Sequence, residues 1–184
     1  MAGICFTADL VEIGSQTLIR IPKLESEKLP SRGMVMAEGS FAGVDTVMPL
    51  EPDGEGSHWF RVEDTLRAKA GVAVRDTIAL SLRPVKDWPE PETPEDLIAA
   101  FTSAPDAHAV WLDITPMARW DWIRWMRATN SAKTRQGRID KMMSMLTGGK
   151  RRPCCFNRSL CTDVSVSHRG ILLDPDGHDA VGAA

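Results

Sequence analysis

The sequence predicts an α+β fold in which a small, closed, antiparallel six-stranded β-barrel is followed by a C-terminal helical extension. Between Gly33 and Leu82, apolar and polar residues alternate at every second position, which is typical of strands with one buried and one wet face. After residue 94, apolar residues instead recur every three or four positions, as on amphipathic helices. The chain of 184 residues is long enough to bury a core without disulfides or a metal.

Six short segments carry the strand pattern, and turn residues separate them. The predicted strands cover residues 4–10, 17–21, 35–41, 44–50, 58–62 and 76–82. Gly43 and the cluster 52–56, which contains Pro52, Gly54 and Gly56, supply turns between the central strands. Six strands of this length can close on themselves and leave no exposed edge, so we expect a closed barrel.

Helical signals set the expected boundaries. We expect a barrel domain over 1–84 with a helical insert near 63–70, a proline- and acid-rich connector over 85–93, a helical segment over 94–152, and an irregular, partly disordered tail over 153–184. Thr93, Thr115 and Thr134 are the predicted N-caps of three helices in the helical segment. The pair Ala104-Pro105 is expected to end the first of them.

Several of these stretches together resemble one known domain arrangement. They are the strand from Gly33 to Phe41, the triplet Ser57-His58-Trp59, Leu66-Arg67 before Asp76-Thr77-Ile78, the run Pro94-Glu95-Asp96-Leu97, the Trp122-Ile123 helix, and Lys133 to Ile139. The chain from Phe6 to Pro153 resembles a small bacterial barrel domain of unknown function joined to a YdeI/OmpD-associated, or bacteriocin-protection-like, helical segment. The resemblance implies a Greek-key barrel, a helical C-terminal part and no established activity.

Charge is distributed unevenly along the chain. Residues 124–152 hold nine Lys or Arg against one acid, whereas residues 1–123 hold eleven against twenty. The predicted anion- or partner-binding residues are Arg124, Arg127, Lys133, Arg135, Arg138, Lys141, Arg151 and Arg152. Two interpretations remain open: a basic face for an anionic partner, with Trp122 or Trp125 exposed to stack on a base, or pairing of these cations with the acidic barrel.

A second candidate site lies at the predicted mouth of the barrel. His58, Trp59 and Arg61 follow a glycine-rich turn, and an imidazole there could orient a small ligand. Alternation places His58 on the same face as Phe60 and Val62, however, so a buried histidine with a hydrogen-bond partner is the alternative.

Motifs for catalysis, metal binding and cofactor binding are missing from the sequence. Cys154, Cys155 and Cys161, with His168 and His178, lack the C-x2-C spacing of a zinc site, so we expect no metal. Gly54-x-Gly56 lacks the third glycine of a dinucleotide-binding loop, and we expect no cofactor.

These observations predict a non-enzymatic binding or adaptor protein, linked by resemblance to bacteriocin protection or stress resistance. Its expected partner is an unidentified protein or anionic molecule. Nucleic-acid binding through 124–152 and a ligand-binding or enzymatic barrel near His58 are the alternatives. No apolar run is long enough to span a membrane, and the N-terminus lacks a signal-peptide pattern, so a cytoplasmic location is expected.

Overall fold

The computed structural model describes residues 3–153 and 161–175. The chain divides into two compact units. The first, which we call the sheet unit, consists of Met1–Lys86 and Ser165–Ala184. The second, the helical unit, is Asp87–Val164, so it is inserted between two parts of the first.

The sheet unit is built on seven antiparallel strands. They are β1 (Ile4–Asp9), β2 (Val11–Ile13), β3 (Gln16–Arg20), β4 (Val35–Phe41), β5 (Val44–Pro52), β6 (His58–Arg61) and β7 (Thr77–Pro84). Their order across the sheet is β1-β7-β4-β5-β6-β3-β2. Two short helices, α1 (Lys23–Ser26) and α2 (Asp64–Ala70), follow β3 and β6.

The α+β class and the helices after the sheet are confirmed, but the closed six-stranded barrel is wrong. The sheet is a curled half-barrel with β1 and β2 at its two edges. Within this sheet, the strand that the sequence did not predict is β2, which pairs with β3 through Val11↔Leu18 and Ile13↔Gln16. Three residues are too few to display an alternating pattern, and only Leu10 separates them from the end of β1.

The concave core collects the residues that alternation placed inward. Phe41, Leu50, Phe60 and Leu82 are all fully buried in one apolar cluster. The predicted inward positions of β7 are confirmed, because Ile78, Leu80 and Leu82 are buried while the residues between them are exposed. Burial of these side chains is the main contribution to the stability of the sheet.

A hairpin near the end of the chain adds to the sheet unit. Strands β8 (Ser167–His168) and β9 (Ile171–Leu172) pair with each other where the sequence predicted irregular chain. Leu172 donates its N–H to the Asp53 carbonyl at 2.9 Å and packs with Leu18 and Trp59. Two-residue strands carry no detectable period, which is why the sequence pattern did not predict them. The predicted disorder of the last ten residues lies mostly outside the described residues.

Within residues 87–153 and 161–164, the helical unit has four helices around an aromatic-rich core. They are α3 (Glu95–Thr102), α4 (Pro105–Asp113), α5 (Pro116–Arg127) and α6 (Ala132–Thr147). Helix α4 was not predicted: Pro105 was expected only to end the preceding helix, but it is also the first residue of α4. None of the described helices is long and apolar enough to cross a membrane.

The predicted caps are confirmed in one case of three. Thr115 accepts a hydrogen bond from the N–H of Ala118 at the start of α5. Helix α6 is capped by Ser131, three residues before the predicted Thr134, and α3 begins after Pro94 without a side-chain cap from Thr93. Ser131 fits the same chemistry as Thr134, so residue type alone did not distinguish them.

Arg135 and Asp96 form a bidentate ion pair that joins α6 to α3. Arg135 Nη2 lies 3.0 Å from Asp96 Oδ1, and its Nε donates to Oδ2. Arg135 Nη1 also donates to the Met126 carbonyl at 3.1 Å, at the end of α5. The hydrogen bond from Arg135 is the main cause that holds the pKa of Asp96 below its ordinary value of 3.8, although burial acts in the opposite direction.

We therefore expect the helical unit to lose stability in acid. The Asp96 pKa is depressed on folding, so the contribution of the ion pair to stability is complete above the ordinary value of 3.8 and disappears as pH falls through the lower pKa of the folded state. Asp96→Asn should be less stable than the wild type at neutral pH, and the difference should vanish in strong acid. The free energy of unfolding of the helical unit can be measured at each pH by tryptophan fluorescence during denaturant unfolding, because five of the six tryptophans lie in residues 87–164. Asp106→Asn, at an exposed position, is the control; an equal pH dependence in both variants would contradict the prediction.

Candidate binding groove

The helical unit contains an open groove of about 390 Å³ between α3, α4 and the chain at Glu90–Thr93. Its apolar lining comes from Ile98 and Phe101 on α3 and from Trp111 and Leu112 on α4. Thr93, Thr102 and His108 add polar groups. We call this cavity the acidic groove, for the charges described below.

Helical spacing brings the lining residues together. On α4, His108, Trp111 and Leu112 lie at positions i, i+3 and i+4, so they share one face of the helix. The Phe101 ring stacks on the His108 ring with centroids 5.1 Å apart and lies 5.3 Å from the Trp111 ring. The three rings therefore form a continuous aromatic wall.

Two large aliphatic side chains remain exposed at the groove. Ile98 is 54% exposed and Leu112 is 62% exposed, although both line a cavity already rich in apolar atoms. A contiguous apolar surface of this kind is characteristic of a site that a ligand or partner covers.

Arg119 fixes one wall of the groove. Its Nε and Nη2 donate to the carbonyls of Trp111 and Leu112, each at 2.9 Å, and so satisfy carbonyls at the end of α4. Its guanidinium lies 5.8 Å from the centre of the Trp111 ring and pairs with Glu90. Because these contacts use the cation within the protein, Arg119 contributes little net charge to the groove.

The surroundings of the groove are acidic. Residues 87–113 contain seven Asp or Glu and no Lys or Arg. Glu92 is exposed between two lining residues, and Glu95 lies one turn before Ile98 on the same face of α3. Neither Glu92 nor Glu95 forms an ion pair within residues 3–153 and 161–175. The groove is therefore an apolar site with unneutralised negative charge at its rim.

Comparison with protein families covers both units. Residues 6–82 match the model of a domain of unknown function, DUF1905, and residues 90–149 match the model of the family described as Bacteriocin-protection, YdeI or OmpD-Associated, OmdA. The chain joins a DUF1905 domain to an OmdA domain. This confirms the resemblance on which the sequence interpretation drew. No curated protein matches the chain. The acidic groove lies within the OmdA match, whose range includes Glu90 and Arg119.

In the DUF1905 domain, the predicted barrel-mouth residues are largely buried. His58 has no exposed surface, and its ring nitrogens lie 2.7 Å from Ser26 Oγ and 2.8 Å from the Gly33 carbonyl oxygen. Trp59 is buried in the cluster with Leu18, and Arg61 is half-buried. Both nitrogens of His58 thus have protein partners, as the buried-histidine alternative predicts.

In the OmdA domain, most of the predicted basic residues contact the protein itself. Three of them form ion pairs: Arg135 with Asp96, Arg151 with Asp113, and Arg152 with Asp121. Arg124 is buried and donates a hydrogen bond to Thr162, and Arg127 is half-buried. Arg138 lies over the Trp125 ring. Lys133 and Lys141 are exposed on α6. The ion pairs found here use carboxylates of the helical unit, whereas one of the two open interpretations paired these cations with the acidic barrel.

Two further expectations concern residues that the sequence singled out. The prediction that Trp122 is exposed is wrong, because Trp122 is completely buried. Its ring meets the Trp125 ring edge-on, with the ring centroids 5.8 Å apart. Of the tail cysteines, Cys161 is buried, and Cys154 and Cys155 lie outside the described residues. Among the residues that the structure does describe, no group of three or more His, Cys, Asp or Glu could hold a metal.

The acidic groove was not predicted from the sequence, in which the excess of cations over 124–152 was the charge pattern that indicated a partner. Two signals for it were present in the sequence. One is the run of seven acids without a cation over 87–113, and the other is the His108, Trp111 and Leu112 spacing after a proline that can start a helix.

Proposed function

We propose that this protein is a non-enzymatic binding protein whose acidic groove holds a cationic amphipathic peptide segment. The observation that carries the proposal is the combination of an aromatic and aliphatic groove with two exposed carboxylates beside it, Glu92 and Glu95, while the one arginine of the lining, Arg119, is paired with Glu90. Either feature alone would fit many ligands, whereas together they select a partner with apolar and basic residues.

The apolar face of such a peptide would supply most of the affinity. Ile98 and Leu112 lose their exposure when a partner covers them, and full burial of one such side chain is worth about 1.5–3 kcal/mol. The aromatic wall adds a rigid surface, since Phe101 and Trp111 are already packed against each other.

The basic face of the peptide would supply orientation and speed of association. Glu92 and Glu95 present negative charge to solvent at the rim. Charges at a rim mainly raise the association rate and its sensitivity to salt. Peptides with Lys or Arg on one face and large apolar residues on the other are the membrane-active class. Capture of such a peptide is consistent with the OmdA description as bacteriocin protection.

The test is a titration of the full chain with a fluorescent Leu/Lys amphipathic peptide of about 15 residues, a length at which helices become marginally stable. We expect saturable binding that weakens with added salt. Ile98→Ala and Leu112→Ala should each weaken it about tenfold, equal to about 1.4 kcal/mol. Glu92→Gln with Glu95→Gln should slow association and reduce the salt dependence.

Matched controls keep the result specific. Leu24→Ala removes an exposed leucine of the sheet unit, 75% exposed, and Glu12→Gln removes an exposed carboxylate there; neither should change binding. Equal binding of a Leu/Glu peptide, or groove variants that bind as the wild type does, would contradict the proposal. Preferential binding of an oligonucleotide would favour the nucleic-acid alternative instead.

A further inference from the structure

A second, smaller cavity lies in the sheet unit and has a different chemistry. It measures about 230 Å³ and lies against β2, β3 and the chain around β9. Its lining is mainly aliphatic and includes Val11, Ile13, Leu18, Leu172 and Leu173. We call it the aliphatic pocket.

One cation lines this aliphatic pocket. Arg20, at the end of β3, is half-buried, and its Nη2 donates to the carbonyls of Leu172 at 3.2 Å and Leu173 at 3.3 Å. Within the described chain, Arg20 has no carboxylate partner, and its Nε and Nη1 make no hydrogen bond. A guanidinium has five N–H donors in a planar fork that matches a carboxylate.

Asp9 is the acid among the pocket's lining residues. Its Oδ1 accepts a hydrogen bond from Thr77 Oγ1 at 2.6 Å, and it forms no ion pair with Arg20. Arg20 therefore keeps its charge and at least two donor groups available to a ligand.

The surroundings of Arg20 on its other side are polar. A neighbouring open cavity of about 490 Å³ is also lined by Arg20, together with Lys23, Asp53, Glu55 and Ser57. The Asp53 carboxylate is used within the protein, where it accepts from the N–H groups of Glu55 and Ser57. Lys23 is exposed and adds a second cation. Arg20 thus lines both the aliphatic pocket and an open polar cavity.

We propose that the aliphatic pocket binds a medium-chain aliphatic carboxylate, with its chain against Leu18 and Leu172 and its carboxylate on Arg20. A cavity of about 150 Å³ holds the six carbons of benzene, so 230 Å³ corresponds to about nine carbons. Burial of the chain supplies affinity, and the Arg20 fork selects an anionic head group over a neutral one.

The test compares decanoate, decanol and acetate by methyl NMR of the full chain, with the signals of Ile13, Leu18 and Leu172 as reporters. We expect decanoate to bind at least about tenfold more tightly than decanol, and acetate not to bind. Arg20→Gln should reduce decanoate to the affinity of decanol and leave decanol unchanged. Val11→Phe, which fills the pocket, should abolish the binding of both.

Arg83→Gln is the matched control, since it makes the same chemical change at an exposed arginine of β7 that does not line the pocket. Equal affinities for decanoate and decanol, no binding of decanoate, or an Arg20→Gln variant that binds decanoate normally would overturn the proposal. Leu112→Ala, which tests the peptide site, should bind decanoate normally, so the two proposals succeed or fail separately.

Discussion

Gly39→Ala should lower the free energy of unfolding of the sheet unit by more than about 3 kcal/mol, at the upper end of single substitutions. Gly39 lies on β4 opposite Leu82 of β7. A Cβ at residue 39 would lie 1.9 Å from the backbone oxygen of Ser81, and the glycine φ of +154° is rarely adopted by other residues. The obstacle is backbone, so a change of side-chain rotamer cannot relieve it, and β4 must separate from β7 in the middle of the sheet.

Gly43→Ala is the control for the backbone angle alone. Gly43 has φ +83°, and its added Cβ would meet nothing within 4 Å. The expected cost is the left-handed conformation only, about 1–2 kcal/mol. Hydrogen exchange of the β4 and β7 amides measures both variants in the full chain, with the helical unit as an internal reference. Equal losses in the two variants would show that the contact with Ser81 has no role.

We expect His58→Ala to cost about 3 kcal/mol or more in the sheet unit. The imidazole is fully buried and bridges Ser26 Oγ and the Gly33 carbonyl, so its loss leaves a cavity and two polar groups with one partner fewer. These hydrogen bonds attach the end of α1 and the chain just before β4 to the start of β6. Urea unfolding of the sheet unit, followed by the amide NMR signals of β6, measures the loss.

Ser26→Ala measures the contribution of one hydrogen bond to the stability lost in His58→Ala. It removes one partner of His58 and leaves the ring and the Gly33 contact, so the expected cost is about 1 kcal/mol. Both variants, when folded, should bind the amphipathic peptide as the wild type does. A His58→Ala protein with unchanged stability would contradict the buried-histidine interpretation and return the residue to the list of ligand-binding candidates.

Long alternating runs allowed most of the sheet to be predicted from sequence. Strands β4, β5 and β7 each have seven or more residues, and one inward face identifies them. Strands β2, β8 and β9 have three residues or fewer, too few to show an alternating pattern. The curl of the sheet depends on pairing between strands that are distant in sequence, which no local pattern predicts. The predicted closed barrel was wrong because the number of strands in a sheet and their order depend on long-range contacts, which no local sequence pattern specifies.

The site was harder to predict than the fold. Sequence identified the basic residues, but Arg135 and Asp96 are 39 positions apart, and their pairing depends on how α3 and α6 pack. For the groove, the acids were visible, whereas the contribution of Arg119 to its wall was not. Charge composition records how many cations a segment has, and the fold decides which of them remain available to a partner.

The insertion of residues 87–164 into the sheet unit affects how the protein is made. Leu172 and the rest of the β8–β9 hairpin leave the ribosome after helices α3 to α6 of the insert. The side chains of Trp59 and Leu18 therefore lack their contacts with Val166 and Leu172 while the OmdA segment is synthesised. A chain truncated at the end of β7 would keep that surface uncovered permanently, and we expect it to aggregate.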